Sequence, residues 1–318
     1  MFTSNKGVVL ISVLLIILML SVISVSIGKY YFLSFKREGH VDFQNDAIQY
    51  IQNIEVLSIN EIKKQFMSHT ARNLPLFSEP ISIQLEKGMI TAKLKDATSC
   101  FNINALMNFN DNLYLPNQRV ISGFRKYLKL LDYNDASIDS LIDQVIDWID
   151  TDNQPRANGL EDYFYIGPMS SSKQFTSKRF FYHLSEIKNL PASSYFDWQL
   201  IEEHFCVIPF IDNHAININF LGPNDVLFLA ALIPELTISD AEMIIENIPD
   251  EGFQTFSELN NFYPYINFNN SIIPISVSSK LFFIESQVTY DSFSATARTL
   301  INYNNNKASI LTRSYNGI

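Results

Sequence analysis

Hydrophobic and polar positions divide the chain into stretches with different periods. The stretch from Val8 to Ile27 is an apolar run of about twenty residues without a charge, which is long enough to cross a bilayer as one helix. No proline follows until after Phe66, and apolar residues recur at roughly helical spacing. The pattern predicts that the membrane helix continues as an amphipathic stalk whose apolar stripe packs on a sheet. The stripe consists of Ala47, Ile51, Ile54, Leu57, Ile62 and Phe66.

Residues that alternate between apolar and polar predict strands on both sides of a long helical block. Before the block, a hairpin over 81–94 turns at Glu86–Gly88, and a third short run covers Cys100 to Leu106. After Pro274 the same alternation predicts three strands, the last two joined by an asparagine turn at 304–306. These strands are Leu281–Tyr290, Phe293–Tyr303 and Lys307–Tyr315.

Between the two groups of strands the apolar period is that of a helix. It predicts helices over 120–131, 138–149, 227–232 and 241–248, the last with Ser239 as N-cap and Glu242 completing a capping box. The predicted fold class is therefore α+β, in which a long membrane and stalk helix packs on an antiparallel sheet and a large all-α domain is inserted between the strands. The predicted segments are 1–7, 8–28 (membrane helix), 29–106 (stalk and first strands), 107–274 (inserted helical domain) and 275–318 (final strands).

The N-terminus resembles that of a type IV prepilin or pseudopilin. A short polar leader, MFTSNKG, precedes the apolar run, whereas a secretory signal peptide has its cleavage site after a shorter run. The resemblance implies that a prepilin peptidase cuts between Gly7 and Val8 and methylates the new Val8 amine. The alternative is an ordinary N-terminal membrane anchor in which Gly7 stands by chance.

One position departs from the usual pilin pattern. The fifth residue after the expected cut is Ser12, where most pilin-like proteins carry a glutamate that pairs with the N-terminal amine of a neighbouring subunit. Without that carboxylate, a subunit lacks this contact with a subunit above it. The type II secretion minor pseudopilin K family is similar in lacking this glutamate, and this suits a subunit at the tip of a fibre.

An acidic loop carries the most specific pattern of candidate ligands in the chain. Counted as in an EF-hand, Asp150 and Asp152 take positions 1 and 3, Asn158 takes position 9 and Glu161 takes position 12. Pro155 stands where an EF-hand has glycine, so we expect a calcium loop of related spacing rather than a true EF-hand. Asp147 and Asp162 are weaker candidate ligands. The alternative is a solvated acidic turn, because acids at i, i+4 spacing also precede it.

An ordered set of motifs strengthens the resemblance to the pseudopilin K family. The loop reads DWID-x-D-x-x-P-x-x-x-G-x-ED-x-x-Y over 147–165, with SCFNINAL before it and LSEIKNL, CVIP and AININ after it. The resemblance implies calcium in a helical domain inserted into a pilin-like sheet, with the minor pseudopilins I and J and other pseudopilins as partners. It also implies a single-pass inner-membrane protein whose C-terminal part lies in the periplasm. The region 163–181 departs from the family pattern, so no ligands are carried over there.

The two cysteines, Cys100 and Cys206, are either paired or separately buried. A periplasmic location favours one disulfide that closes a loop of about a hundred residues. Lys29, Lys36 and Arg37 follow the apolar run while only Lys6 precedes it, so the positive-inside rule alone would place the C-terminal part in the cytoplasm. We give the leader more weight, because cations near the interface also bind phospholipid headgroups.

The remaining function classes are disfavoured. The formal net charge of −10 argues against a nucleic-acid partner, which needs a basic surface. The motif ININ followed by two short helices resembles a helix-hairpin-helix DNA receptor, but the connection 233–237 lacks the glycines that hold phosphate. No phosphate loop, nucleophile elbow or paired-histidine zinc motif is present, so no enzyme is predicted. A type IV pilus minor pilin stays open as an alternative.

Overall fold

A computed structural model describes residues 6–66, 79–168, 170, 173–209, 215–290, 293–304 and 307–317, with only the backbone at 6–8 and 65–66. Helix α1 covers Lys6–Phe66 without a break, so the membrane run and the stalk form one helix, as predicted. Most of the leader, residues 1–5, lies outside the described residues. The asparagine turn at 304–306 is described only at Asn304.

Five of the described strands form one antiparallel sheet. They are β1 (Ile81–Gln84), β2 (Met89–Asp96), β9 (Leu281–Tyr290), β10 (Phe293–Asn304) and β11 (Lys307–Asn316), and they are hydrogen-bonded in the order β1-β2-β9-β10-β11. Because β2 and β9 are neighbours in space but lie on either side of the helical block in sequence, the helical block is an insertion. The α+β architecture predicted from the sequence is confirmed.

The stalk half of α1 packs its apolar stripe on one face of this sheet. Phe43, Ala47, Ile51, Ile54 and Ile62 are buried there against the inward-facing residues of β2, β9 and β10. The prediction for Leu57 is wrong, since its side chain is 50% exposed, while Ser58 is buried. A residue four positions after Ile54 stays on the packed face of the helix, whereas Leu57 points about a third of a turn away from Ser58.

The inserted domain is mostly helical and has its own core. Its helices are α2 (Gln118–Leu130), α3 (Asp135–Ile149), α4 (Asp162–Tyr165), α5 (Trp198–His204), α6 (Val226–Leu232), α7 (Ile238–Glu246) and α8 (Phe256–Phe262). Its short strands are β3 (Phe101–Asn102), β4 (Met107–Asn110), β5 (Leu113–Pro116), β6 (Phe205–Cys206), β7 (Ile216–Asn217) and β8 (Ile275–Ser276). They pair as β3 with β6, β4 with β5 and β7 with β8, all apart from the main sheet.

Two local predictions are corrected here. The run 100–106 is a strand only at β3, because Asn102 accepts a hydrogen bond from the Asn104 amide and starts a 3-10 turn. The boundaries at 106/107 and 274/275 stay predictions, and the helical core also takes in Phe101 and Ile275 from outside them. The N-cap of α7 is Thr237, with Asp240 completing the capping box, because this earlier pair already satisfies the first free amides.

Candidate functional site

The acidic loop follows directly from the end of α3. The amphipathic sequence of this helix buries Trp148 and Ile149 in the core, and the helix ends where Asp150 adopts an extended backbone. The chain then turns over the end of α3 and returns to the core at Glu161, which precedes the short helix α4. Two carboxylates from opposite ends of the loop are thereby brought to one place.

Asp150, Asp152 and Glu161 converge on a common point. One carboxylate oxygen from each lies within 4.8 Å of the others. Glu161 is only 1% exposed, and neither of its carboxylate oxygens has a hydrogen-bond partner among the described residues. Oδ1 of Asp150 is likewise buried without a partner in this part of the chain. Buried carboxylate oxygens without partners are costly in a folded protein. A hard cation bound among them would satisfy these oxygens, so the donor set fits a divalent cation such as calcium.

The burial and crowding of these acids also raise their pKa values. Burial, reinforced by repulsion from Asp152 and Asp147, raises the pKa of Asp150 to about 7. Burial and the negative charge of Asp150 raise the pKa of Glu161 to about 7. The pKa of Asp147 is raised to about 6, chiefly by burial. Without a cation, the loop therefore holds its protons up to nearly neutral pH.

The weaker candidate ligands are engaged in other contacts. The carboxylate of Asp147 is fully buried and accepts a hydrogen bond from the backbone amide of Arg156 at 3.1 Å. The side chain of Asn158 donates to Asp143 Oδ2 at 3.1 Å. Asp162 Oδ1 accepts hydrogen bonds from the amide and the hydroxyl of Thr176, each at 2.7 Å. These residues shape the loop around the three converging carboxylates.

Three further residues support the loop, and of these only Gly159 belongs to the sequence motif over 147–165. A Cβ on Gly159 would lie 1.9 Å from Asp147 Oδ2, so glycine is required for the loop to pass over this carboxylate. Thr176 and Lys178 come from the region 163–181, where the family pattern offered no guide. Lys178 donates to Asn153 Oδ1 at 2.5 Å and to the Asp152 carbonyl at 3.2 Å, which ties this region to the loop. Its positive φ of 49° is a conformation that no sequence motif here indicates.

The two cysteines form a disulfide at the junction between the helical domain and the main sheet. Cys100 precedes β3 and Cys206 ends β6, and the parallel pairing of these strands places the Cα atoms 5.7 Å apart. The buried side chains around this disulfide come from both sides of the junction. Ile208 belongs to the helical domain, and Phe283 and Leu300 belong to the main sheet. The disulfide therefore closes the helical domain where it meets the sheet.

The sequence is similar to proteins of one secretion system. Residues 99–210 match the family model described as type II secretion system protein K. The type II secretion system protein K of Pectobacterium carotovorum subsp. carotovorum is 28% identical, over 100% of this chain and 98% of that relative. The protein of the same name from Aeromonas hydrophila is 24% identical, over 78% of this chain and 77% of that relative. The chain is thus similar over its whole length to type II secretion system protein K. This similarity supports the role of a minor pseudopilin, a structural component of that system.

A solved structure also shares the fold. It is the crystal structure of the GspK-GspI-GspJ complex from the type 2 secretion system of enterotoxigenic Escherichia coli, and its matching chain is 20% identical in sequence. The two chains superpose with a TM-score of 0.73, which covers 88% of this chain and 99% of that one. The arrangement of sheet and inserted helical domain in this chain is therefore that of the solved chain.

The hairpin of α6 and α7 does not resemble a phosphate site. The Lys126 ammonium donates to the carbonyl oxygens of Ala230, Ile233 and Leu236 at distances of 2.6 to 3.2 Å. The turn thus presents carbonyl groups to a lysine of its own chain, where a DNA receptor would present amides to phosphate. The hairpin has a structural role in this chain, because it packs on α2.

The apolar half of α1 is the other candidate functional element. Its side chains from Val9 to Ile27 are exposed, and the helix is long and apolar enough to cross a membrane. The backbone of Gly7 and Val8 lies at the start of α1, but their side chains are outside the described part. This element indicates a membrane anchor in the secretion-system component.

Proposed function

We propose that this minor pseudopilin forms the tip of the periplasmic pseudopilus and helps to start its assembly, for the export of folded proteins across the outer membrane. The observation that carries the proposal is the hydrogen bond made by the Ser12 side chain. Its hydroxyl donates to the carbonyl of Val9 at 2.9 Å, within its own helix. A serine satisfied in this way offers no carboxylate to the amine of a subunit above. The similarity to type II secretion system protein K and the bulk of the helical domain both support a terminal position.

The proposed partners are the minor pseudopilins I and J, and through them the other pseudopilins. The support comes from the shared fold with a chain solved in a complex of GspK, GspI and GspJ. The apolar half of α1 is exposed along its whole length, so it has a surface for the helices of sister subunits after assembly. Before assembly the same surface would anchor the protein in the inner membrane as a single span.

Processing and location follow from the N-terminus. We expect a prepilin peptidase to cut between Gly7 and Val8 and to methylate the Val8 amine, leaving the C-terminal part in the periplasm. The disulfide between Cys100 and Cys206 supports this location, because disulfides persist in the oxidising periplasm and are rare in the cytosol. We expect no catalytic activity, since the sequence has no nucleophile-elbow motif, phosphate loop or paired-histidine zinc motif.

Calcium is the proposed cofactor of the acidic loop. Asp150, Asp152 and Glu161 would bind it, and the unpartnered oxygens of Asp150 and Glu161 are the support for this ligand set. Asp147, Asn158 and Asp162 would hold the loop in place, as their hydrogen bonds indicate. Bound calcium would supply positive charge that offsets the repulsion among the carboxylates.

The test of the tip proposal is co-expression of the full chain with candidate I and J pseudopilins, followed by affinity purification and size-exclusion chromatography. We expect a stable complex of the three subunits. Co-purification with type IV pilus subunits instead would reject the assignment to type II secretion. A DNA-binding assay on the soluble part should show no salt-dependent affinity for duplex DNA.

The processing step is tested in cells with an active prepilin peptidase. Gly7→Ala should leave an uncleaved precursor of lower mobility. Gly28→Ala is the matched control, because a Cβ at Gly28 meets nothing within 4 Å and the variant should be processed normally. Normal mobility of the Gly7→Ala variant would contradict the leader assignment.

A further inference from the structure

Charges are sorted by sign along α1 from the end of the apolar run to Ile62. From Gly28 to Arg37 the charged residues are Lys29, Lys36 and Arg37, with no acid. From Glu38 to Ile62 every charged residue is acidic (Glu38, Asp42, Asp46, Glu55 and Glu61), and Lys63 and Lys64 follow in the last turn of α1, about 40 Å further from the span than Arg37. In a chain with a formal net charge of −10, a cluster made only of cations beside the membrane run is a distinct feature.

Aromatic side chains lie among these cations. Tyr30, Tyr31, Phe32 and Phe35 are between 58% and 76% exposed, so the rest of the described chain leaves them uncovered. Tyrosine and tryptophan are the residues enriched where membrane helices cross the headgroup region. Together with the cations they form what we call the juxtamembrane segment, residues 29–37.

The side chains of this segment are directed toward the bilayer. Side chains on a helix tilt toward its N-terminus, and here the N-terminus lies in the membrane. The Lys36 ammonium illustrates this direction, since it lies 4.8 Å from the centre of the Phe32 ring, one turn closer to the apolar run. The backbone of the segment rises about 12 Å from Lys29 to Arg37. Long basic side chains that reach back toward the membrane bring all three cations near the headgroup phosphates.

We propose that the juxtamembrane segment binds the anionic phospholipid headgroups of the leaflet in which the apolar run ends. Successive residues on a helix are about 100° apart, so Tyr30, Tyr31 and Phe32 point to three different sides of α1. A protein partner would cover one side of the helix, whereas a bilayer surrounds it. Acids begin only at Glu38, on the side of the segment away from the membrane, where a negatively charged surface repels them least. The inference requires the membrane span but not the tip position, so either can fail alone.

The experiment uses the full chain in phosphatidylcholine vesicles at about 0.15 M salt. Trace amounts of spin-labelled phosphatidylglycerol or phosphatidylcholine are added, and electron paramagnetic resonance measures the motionally restricted fraction of each lipid. We expect the protein to associate with phosphatidylglycerol at least about threefold more strongly, because each basic residue near an anionic surface contributes to binding. The preference should weaken as salt is raised.

Two variants with the same change in net charge make the result specific. Lys29→Gln with Lys36→Gln and Arg37→Gln should bring the association ratio close to one. The control replaces Lys64, Lys280 and Lys307 by Gln and should keep the preference. All three are exposed and lie at the end of α1 or of the sheet away from the span. Melting of the soluble part should be the same in both variants, which shows that folding is not the cause.

Four results would overturn the proposal. The first is an equal association of the wild type with both lipids, and the second is an unchanged preference in the variant of the juxtamembrane segment. The third is an equal loss in the control, which would make the preference an effect of net charge. The fourth is a variant of the juxtamembrane segment that keeps the lipid preference but no longer forms the complex with I and J. That result would assign the segment to a protein partner.

Discussion

Arg313 on β11 and Glu55 on α1 form a bidentate ion pair between the last strand and the stalk helix. Arg313 donates from Nη2 to Glu55 Oε2 at 2.8 Å and from Nε to Oε1 at 3.0 Å. The hydroxyl of Thr299, on β10, donates to the same carboxylate. Glu55 is 1% exposed, so these donors take the place of water around its carboxylate. The pair fixes the position of the final strands on α1.

Loss of Arg313 should therefore be costly. Arg313→Ala leaves a buried carboxylate without its cation, which we expect to lower the free energy of unfolding by roughly 2–4 kcal/mol. The measurement is urea unfolding of residues 29–318. Lys95→Ala is the control, because the Lys95–Glu285 pair is largely exposed and should contribute less than about 1 kcal/mol. Equal effects of the two changes would show that burial of Glu55 does not matter.

The disulfide should stabilise the helical domain against unfolding. Cys100 and Cys206 are 106 positions apart, and a loop of this length corresponds to at most about 4–5 kcal/mol in the chain-entropy model. Cys100→Ser with Cys206→Ser should lower the urea midpoint, and a reducing agent should lower the wild-type midpoint to a similar value. If a reducing agent shifts the wild type and the double variant equally, the stabilisation does not come from the disulfide.

Much of the fold could be predicted because its elements have strong periods. Strands β9 and β10 alternate clearly, and α3 repeats an apolar residue at Ile138, Leu141 and Val145. Errors arose where two local patterns compete. Ser239 and Thr237 both begin an acceptable capping box, and Leu57 lies beside the buried stripe. Tertiary packing and cap geometry decide such cases, and neither can be obtained from the period alone.

The candidate site was predicted only in part, for a different reason. The spacing of Asp150, Asp152 and Glu161 was visible, because a loop that binds a cation needs acids at short intervals. Whether another polar side chain of the loop points toward these three carboxylates depends on its hydrogen bonds. Asn158 turns to Asp143 and Asp162 turns to Thr176, and these partners are up to fifteen residues away. The spacing of residues along the loop alone could not have separated the three converging carboxylates from the residues that only hold the loop in place.

Gly159 should be essential to the loop. Gly159→Ala places a Cβ 1.9 Å from Asp147 Oδ2 and 3.0 Å from the backbone nitrogen of Arg156, so the Asp147 carboxylate must move. We expect a loss of roughly 1–3 kcal/mol in stability and a weaker response to calcium, since a buried charge network is disturbed. Gly39→Ala is the matched control. A Cβ there meets nothing within 4 Å on a helix, and it should stabilise slightly, by up to about 1 kcal/mol.

The calcium-free protein should become more stable as the pH falls below neutral. Asp150 and Glu161 have pKa values of about 7 in the folded protein, above the ordinary values of about 4 in an unfolded chain. The folded state thus binds protons more tightly, so stability should increase as the pH falls from about 7 toward about 5. Thermal melting in chelator measures this increase, and in Asp150→Asn it should be smaller. A melting temperature that falls over this range would contradict the assignment of raised pKa values.

Calcium should also stabilise the folded protein, but by binding the same carboxylates in their ionised form. At a hundredfold excess over Kd, binding to the folded state alone adds about 2.7 kcal/mol, equivalent to roughly 5–10 °C in Tm. Asp150→Asn with Glu161→Gln should abolish this gain, yet raise the Tm in chelator because the repulsion is removed. Asp111→Asn, an exposed acid on the hairpin of β4 and β5, is the control that removes a charge elsewhere.

The comparison of these two effects separates a metal site from a solvated acidic turn. A turn that binds no cation would give the same wild-type Tm in calcium and in chelator, with no heat of binding in calorimetry. A site of the proposed kind gives a calcium response that shrinks as the pH falls below 7, since protons and calcium compete for Asp150 and Glu161. A calcium response that persists in the double variant would place the ion elsewhere in the chain.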